Sequence, residues 1–136
     1  MTMSFAWASM PTIAALDELG AHLLKSLRLV GMISRNAPDA GARLLDHWGD
    51  ASAVRRFLLA AHSIGAVWPE PIAICPPCCG MMTHDEQLLL SLFDAALGCD
   101  RPRFDAHAQD LLDQSARDHL YVAMRHLVIQ GAFPPA

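Results

Sequence analysis

Three of the four cysteines in the chain, Cys75, Cys78 and Cys79, lie within a span of five residues. Thiolates bind soft metal ions and are the nucleophiles of thiol–disulfide exchange, so this segment is the part of the sequence best suited to chemistry. Two prolines separate Cys75 from Cys78, and proline does not fit the interior of a helix. We therefore expect an extended loop that presents thiols.

The first candidate chemistry is metal binding, because the segment resembles a zinc knuckle. In a knuckle, Cys-Pro-x-Cys-Gly turns backbone amides toward two thiolates, and the glycine supplies the left-handed turn. Here an extra cysteine precedes Gly80, and no second Cys-x-x-Cys or His-x-x-x-His motif exists. Zinc or another soft metal would need further donors, with Cys99 or a second subunit as alternatives to a nearby histidine. The predicted metal ligands are Cys75, Cys78, Cys79 and His84.

The second candidate chemistry is thiol–disulfide exchange by Cys75 and Cys78. A Cys-x-x-Cys pair near a helix start has a lowered thiol pKa and can cycle through a disulfide. The chain shows no alternation of strands and helices around the motif, which argues against a thioredoxin-like fold. Free, partly buried structural cysteines are the third interpretation. The sequence leaves these alternatives open.

Other enzyme classes lack support in the sequence. No phosphate loop, dinucleotide fingerprint or G-x-S-x-G motif is present. His119 and His126 are two helical turns apart, too far to chelate one ion, and His62 is expected to be structural. The net charge is −4, and the basic residues are scattered along the chain. We therefore expect neither nucleic-acid binding nor an identifiable catalytic site.

Apolar residues at three- and four-residue intervals predict a helical chain. The first helix is predicted over residues 12–34 and the second over 38–48, with Gly49 as its stop. Asp50 is expected to cap the third helix, which ends before Pro69. Its predicted buried stripe comprises Val54, Phe57, Leu58, Ala61, Ile64 and Gly65.

A connector rich in proline and cysteine, residues 68–82, follows, with at most one short strand at 72–74. Thr83 and Glu86 form a capping box for the fourth helix, which is expected to stop at Gly98. Asp105 is expected to open a fifth helix that runs to about residue 114. Ser115 is expected to cap a sixth helix, although the last two could also merge.

These elements predict an all-α compact bundle of about six helices that forms one domain over residues 1–136, with residues 1–11 as a flexible N-terminus. The segments 23–27 and 88–92 are similar, as are 44–46 and 111–113, at nearly constant spacing. The bundle is therefore expected to be either one irregular unit or two pseudo-symmetric three-helix units joined by the connector.

The composition of the chain indicates its association state and its cellular location. Apolar residues make up 53% of the chain and charged residues 18%, which excludes a disordered protein and predicts an apolar surface. We therefore expect a homodimer. No run of about 20 apolar residues and no secretory leader is evident, and crowded cysteines are atypical of secreted disulfide scaffolds. The expected location is the cytoplasm, and the expected role is a small soluble binding or interaction protein.

The run 78–86, Cys-Cys-Gly-Met-Met-Thr-His-Asp-Glu, lies between two helical halves, and a helix with Arg55 and Arg56 precedes it. In this respect the chain resembles a family of short, uncharacterised alphaproteobacterial proteins, a domain of unknown function. Members of that family carry a cysteine-rich segment with Met-Thr-x-x-Glu, and the resemblance extends over residues 23–130. It implies a helical bacterial protein and brings no activity or ligand set. The present chain departs from the pattern at Gly80-Met81, where a basic residue is expected before the methionine.

Overall fold

The computed structural model describes residues 17–35, 37, 39–76 and 79–129. This part of the chain forms six helices and no strand, which confirms the predicted all-α bundle. Residues 72–74 are extended without strand pairing. The helices are α1 Glu18–Ser34, α2 Ala40–Trp48, α3 Ala51–Val67, α4 His84–Leu97, α5 Arg101–Ala108 and α6 Gln114–Ile129.

Side-chain caps define the starts of the first, third and fourth helices. The Asp17 carboxylate accepts a hydrogen bond from the Gly20 amide at 2.7 Å, and Asp50 accepts one from the Ser52 amide at 3.2 Å. Thr83 caps α4 as predicted, and its capping box is complete. These acceptors satisfy amides that have no partner within the helix.

The predicted bounds of the last two helices are wrong because the capping residues are different. Asp100 accepts from the Arg103 amide at 3.1 Å, so α5 begins at Arg101, before the predicted start at Asp105. Asp113 accepts from the Ala116 amide at 2.8 Å, so α6 begins one residue before Ser115. Residues 109–113 separate the two helices, which do not merge.

The end of α4 is also displaced from the expected stop. Gly98 has an ordinary φ of −87°, and the left-handed residue is Cys99, with φ 57°. The Cys99 amide donates to Ala96 O at 3.1 Å and the Asp100 amide to Ala95 O at 2.9 Å. These two hydrogen bonds form a Schellman motif, with cysteine at the position that usually holds glycine. At the end of α2, by contrast, Gly49 itself is left-handed, with φ 74°.

One hydrophobic cluster draws on all six helices. Phe57 of α3 and Phe93 of α4 are fully buried and stack with ring centroids 6.4 Å apart. The predicted stripe of α3 is partly wrong, because Leu58 is 39% exposed and Gly65 is exposed, whereas Ala53 and Ala60 are buried. The buried face is therefore rotated from the predicted one.

The helices pack in a similar order in the two halves of the chain. α1 packs on α2 and α4 on α5, and the most extensive contact joins the third helices of the two halves, α3 and α6. This order agrees with two three-helix units, although the duplication stays a prediction. The predicted flexible segment 1–11 lies outside the described residues. None of the helices described between residues 17 and 129 has the length and apolar run needed to cross a bilayer.

Candidate functional site

The connector between α3 and α4 is fixed at its ends and accessible in its middle. Trp68 and Met82 are buried, whereas Cys75 and Cys79 are half-buried and Met81 is exposed. The Cys79 amide donates to the carbonyl oxygen of Pro76 at 3.0 Å. This hydrogen bond holds Cys79 close to the residue that follows Cys75.

A fully buried ion pair lies beneath this loop. Arg28 of α1 and Glu86 of α4 are 1% and 0% exposed. Arg28 Nε donates to Glu86 Oε2 at 2.9 Å and Nη2 donates to Oε1 at 3.0 Å. Two parallel charge-assisted bonds of this kind are geometrically specific, and they compensate for removing both charges from water. The pair therefore links α1 to α4 at one defined position.

The same two side chains also bond to the backbone of the loop. Arg28 Nη1 donates to the Cys79 carbonyl oxygen at 2.7 Å, and Nη2 donates to the Met81 carbonyl oxygen at 2.6 Å. Glu86 Oε2 accepts from the Cys75 amide at 3.1 Å, and Oε1 accepts from the Thr83 amide at 2.9 Å. Glu86 is thus the capping-box residue of α4 and also an acceptor for the loop.

Three further hydrogen bonds fix the beginning of the loop independently of the ion pair. Thr83 Oγ1 donates to the Ala73 carbonyl oxygen at 2.5 Å, and the Ala73 amide donates to Asp85 Oδ2 at 2.8 Å. Arg35 Nη2 reaches the Ile74 carbonyl oxygen at 3.3 Å. Backbone groups that have no secondary-structure partner are therefore satisfied by side chains from α1 and from the start of α4.

The thiols of Cys75 and Cys79 are near enough for each to shift the pKa of the other. The Cys79 thiol raises the pKa of the Cys75 thiol, and burial together with the Glu86 charge adds to that increase. The pKa of the Cys79 thiol is lowered, first by a hydrogen bond with the Met81 backbone and then by the Cys75 thiol and the Arg28 charge. The thiolate is the reactive form of cysteine, so the pKa shifts favour Cys79 as the reactive thiol, whereas the bond that its thiol donates to the Met81 carbonyl oxygen at 3.4 Å is lost on ionisation.

Burial and hydrogen bonding act in opposite directions on Glu86. Burial raises its pKa, whereas hydrogen bonds from Arg28 and from the Thr83 and Cys75 amides lower it. The bonds outweigh burial, so the pKa of Glu86 is below its ordinary value of 4.5. Hydrogen bonding to Glu86 in turn raises the pKa of Arg28. Both groups are therefore charged at neutral pH.

The structure places the predicted metal ligands only in part. Cys75 and Cys79 are adjacent, His84 is exposed at the first position of α4, and Cys78 lies outside the described residues. Among the described residues, no group of three or more histidine, cysteine or acidic side chains is arranged to hold a metal ion. Cys99 is exposed at the far end of α4. The predicted metal set therefore stays a prediction.

Sequence reasoning missed Arg28, and it gave Glu86 only a local capping role. Arg28 lies on the buried face of α1, among Leu24, Leu27 and Leu29. The available signal was its position within the leucine spacing of the helix, since a charged residue on a buried face needs an opposite charge. Glu86 has no comparable signal, because the capping box already accounts for it.

A second polar cluster lies where α1 meets α2. The imidazole rings of His22 and His47 stack with centroids 3.8 Å apart, and the indole of Trp48 packs edge-on against His22 at 4.4 Å. Burial, followed by the charges of His47 and Lys25, lowers the pKa of His22 to about 4. Burial also lowers the pKa of His47. Both rings are therefore neutral at pH 7, so the stacked pair carries no like charges.

A groove of about 520 Å³ adjoins the loop through Met82. Its wall contains apolar side chains of α1 and α4, and its rim includes Arg103 and His107 of α5. The groove does not include the two thiols, but one of its lining residues, Met82, is three residues from Cys79 in the chain. Comparison of the chain with protein-family models, with curated proteins and with solved structures gave no match.

Proposed function

We propose that the protein functions through a reversible two-electron thiol–disulfide couple formed by Cys75 and Cys79. The observation that carries this proposal is how closely the backbone holds the two cysteines: the Cys79 amide donates to Pro76, the residue after Cys75, and Arg28 and Glu86 bond to the backbones of Cys79 and Cys75. The proposal pairs Cys75 with Cys79, because both are described, whereas the Cys-x-x-Cys pattern indicates Cys78, which lies outside the described residues. Two thiols that are already adjacent react intramolecularly, which raises their effective concentration for disulfide formation.

The reaction balances with a disulfide as the electron acceptor. The Cys79 thiolate attacks one sulfur of a substrate disulfide, which breaks the sulfur–sulfur bond, expels one thiolate and leaves a mixed disulfide on Cys79. Cys75 then loses its proton to solvent and attacks the Cys79 sulfur, which releases the second substrate thiolate. Two electrons pass from the two protein thiols to the substrate. The lowered pKa of Cys79 favours its role as the attacking group.

A soft-metal site is the second candidate function, supported by the same two adjacent sulfur atoms. Two thiolates suffice for a two-coordinate soft ion such as Cu(I), whereas tetrahedral zinc would need Cys78 and His84 as well. Among the described residues only two sulfur donors lie together, and a zinc site would need two more ligands. The redox couple needs no further residue, so it is the first candidate.

We further propose, from composition, that the protein is a cytoplasmic interaction protein and forms a homodimer. Exposed apolar side chains on the two packed helices α3 and α6 support self-association: Leu58 is 39%, Leu59 58% and Val122 66% exposed. Size-exclusion chromatography with light scattering tests this. A monomer at micromolar concentration would contradict it.

The experiment for the redox couple is equilibration with mixtures of reduced and oxidised glutathione, followed by alkylation and peptide mass mapping. We expect the wild type to lose two thiols in one step and to yield a peptide cross-linked between Cys75 and Cys79. The variants Cys75→Ser and Cys79→Ser should lose this cross-link, whereas the matched control Cys99→Ser should retain it. Absence of the cross-link in the wild type would overturn the proposal. Stoichiometric metal in chelator-free protein, lost in both loop variants, would favour the second candidate.

A further inference from the structure

We infer that Arg28 and Glu86 are positioning residues for the thiol pair, and that their ion pair holds the backbones of Cys75 and Cys79 close together. This inference rests on the proposed thiol–disulfide function and assigns to two buried residues the control of its equilibrium. Neither side chain touches the reacting sulfur atoms through a hydrogen bond described above. Both act through the backbone of the cysteines.

Each member of the ion pair holds one of the two cysteines. Arg28 bonds to the carbonyl oxygen of Cys79 at 2.7 Å, and Glu86 bonds to the amide of Cys75 at 3.1 Å. The bidentate bonds between Arg28 and Glu86, at 2.9 and 3.0 Å, close the bridge between these two contacts. Cys75 and Cys79 are therefore connected through the ion pair as well as through the chain between them.

The bridge is rigid compared with the loop that it holds. Its two side chains are 1% and 0% exposed and are anchored on two helices that pack against each other. A loop held only by its covalent chain samples many separations of its ends, whereas a buried bidentate pair restricts both ends at once. Such restriction raises the effective concentration of one thiol at the other, and this concentration sets the equilibrium for disulfide formation.

The loop does not depend on the ion pair for its attachment to the bundle. Thr83, Asp85 and Arg35 hold residues 73 and 74 through separate hydrogen bonds. Removing the pair should therefore loosen the separation of Cys75 and Cys79 without releasing the whole connector. This difference makes a positioning role separable from a purely structural one.

The test uses the full chain in a Cys78→Ser, Cys99→Ser background, equilibrated with a dithiol–disulfide redox buffer. The main variant is Arg28→Met with Glu86→Leu, since paired replacement of a buried ion pair by apolar residues of similar volume commonly preserves folding. We expect the equilibrium constant for the Cys75–Cys79 disulfide to fall about tenfold, which corresponds to about 30 mV for a two-electron couple. Circular dichroism establishes that the variant is folded.

Arg35→Met is the matched control, because Arg35, directly after α1, also bonds to the loop backbone, but at Ile74 and not at a cysteine. It should change the equilibrium constant less than twofold. If the double variant does not fold, Arg28→Lys replaces it, since one ammonium cannot reproduce all the guanidinium bonds; a fall of at least threefold is then expected. A folded variant that changes the constant less than threefold overturns the inference. A wild-type chain that forms no Cys75–Cys79 disulfide instead overturns the proposed function.

Discussion

Removal of Arg28 alone should be far more damaging than removal of the whole ion pair. In Arg28→Ala, the carboxylate of Glu86 keeps its 0% exposure but loses both charge-assisted bonds, and the Cys79 and Met81 carbonyls lose their donor. Breaking a buried pair in this way costs about 3–5 kcal/mol, a large share of the roughly 5–15 kcal/mol that stabilises a typical domain. The double variant Arg28→Met, Glu86→Leu leaves no unpaired charge, so most of this loss should be absent.

Urea denaturation, followed by circular dichroism, measures these free energies of unfolding. The pH dependence supplies an independent check. Without Arg28, burial raises the pKa of Glu86 above 4.5, so the folded variant takes up a proton more readily than its unfolded chain. The difference in free energy of unfolding between the wild type and Arg28→Ala should therefore be greatest at pH 7 and should shrink as the pH falls toward 4. A deficit below about 1 kcal/mol at pH 7, or one that grows on acidification, would refute the buried-charge reasoning.

Three further predictions concern other parts of the bundle. His22 has a folded pKa of about 4 against an ordinary 6.5, so stability should be full above pH 6.5 and fall by about 2 kcal/mol toward pH 4, after allowance for partial solvent screening. His22→Phe, which keeps the stacking on His47, should show a flatter stability profile over that range; identical profiles would contradict this. Cys99→Gly should raise the free energy of unfolding by about 1 kcal/mol, because glycine adopts the left-handed conformation without penalty. Gly49→Ala should lower the melting temperature, with a cost of about 1 kcal/mol for the same reason, and an unchanged melting temperature would count against the observed φ of 74°.

The sequence predicted the helices best where local signals were unambiguous. The capping box at Thr83 and the glycine stop at Gly49 are local, and both were confirmed. The predicted start of α5 at Asp105 was wrong although a local signal was present, since Asp100 is the cap and Pro102 lies at the second helical position. The displacement of the left-handed residue from Gly98 to Cys99 has no such local signal, because cysteine seldom adopts this conformation.

The thiol loop could be identified from the sequence, but the arrangement within it could not. Crowded cysteines and prolines predicted an accessible loop, yet no sequence pattern indicated that the Cys79 amide would donate to the Pro76 carbonyl oxygen or that Arg28 and Glu86 would bond to the two cysteine backbones. The bond between Arg28 and Glu86 joins residues 58 positions apart. No local pattern encodes such a contact, because it arises only when α1 and α4 pack together.

The double role of Glu86 restricts which replacements the chain can accept over generations. At the third position of a helix, glutamine usually serves a capping box as well as glutamate does. Here a neutral amide would leave the Arg28 guanidinium buried opposite no charge, so a substitution that is harmless in most helices becomes costly. Among descendants of this chain, positions 28 and 86 should therefore change together or not at all, and a helix cap becomes a site of co-evolution.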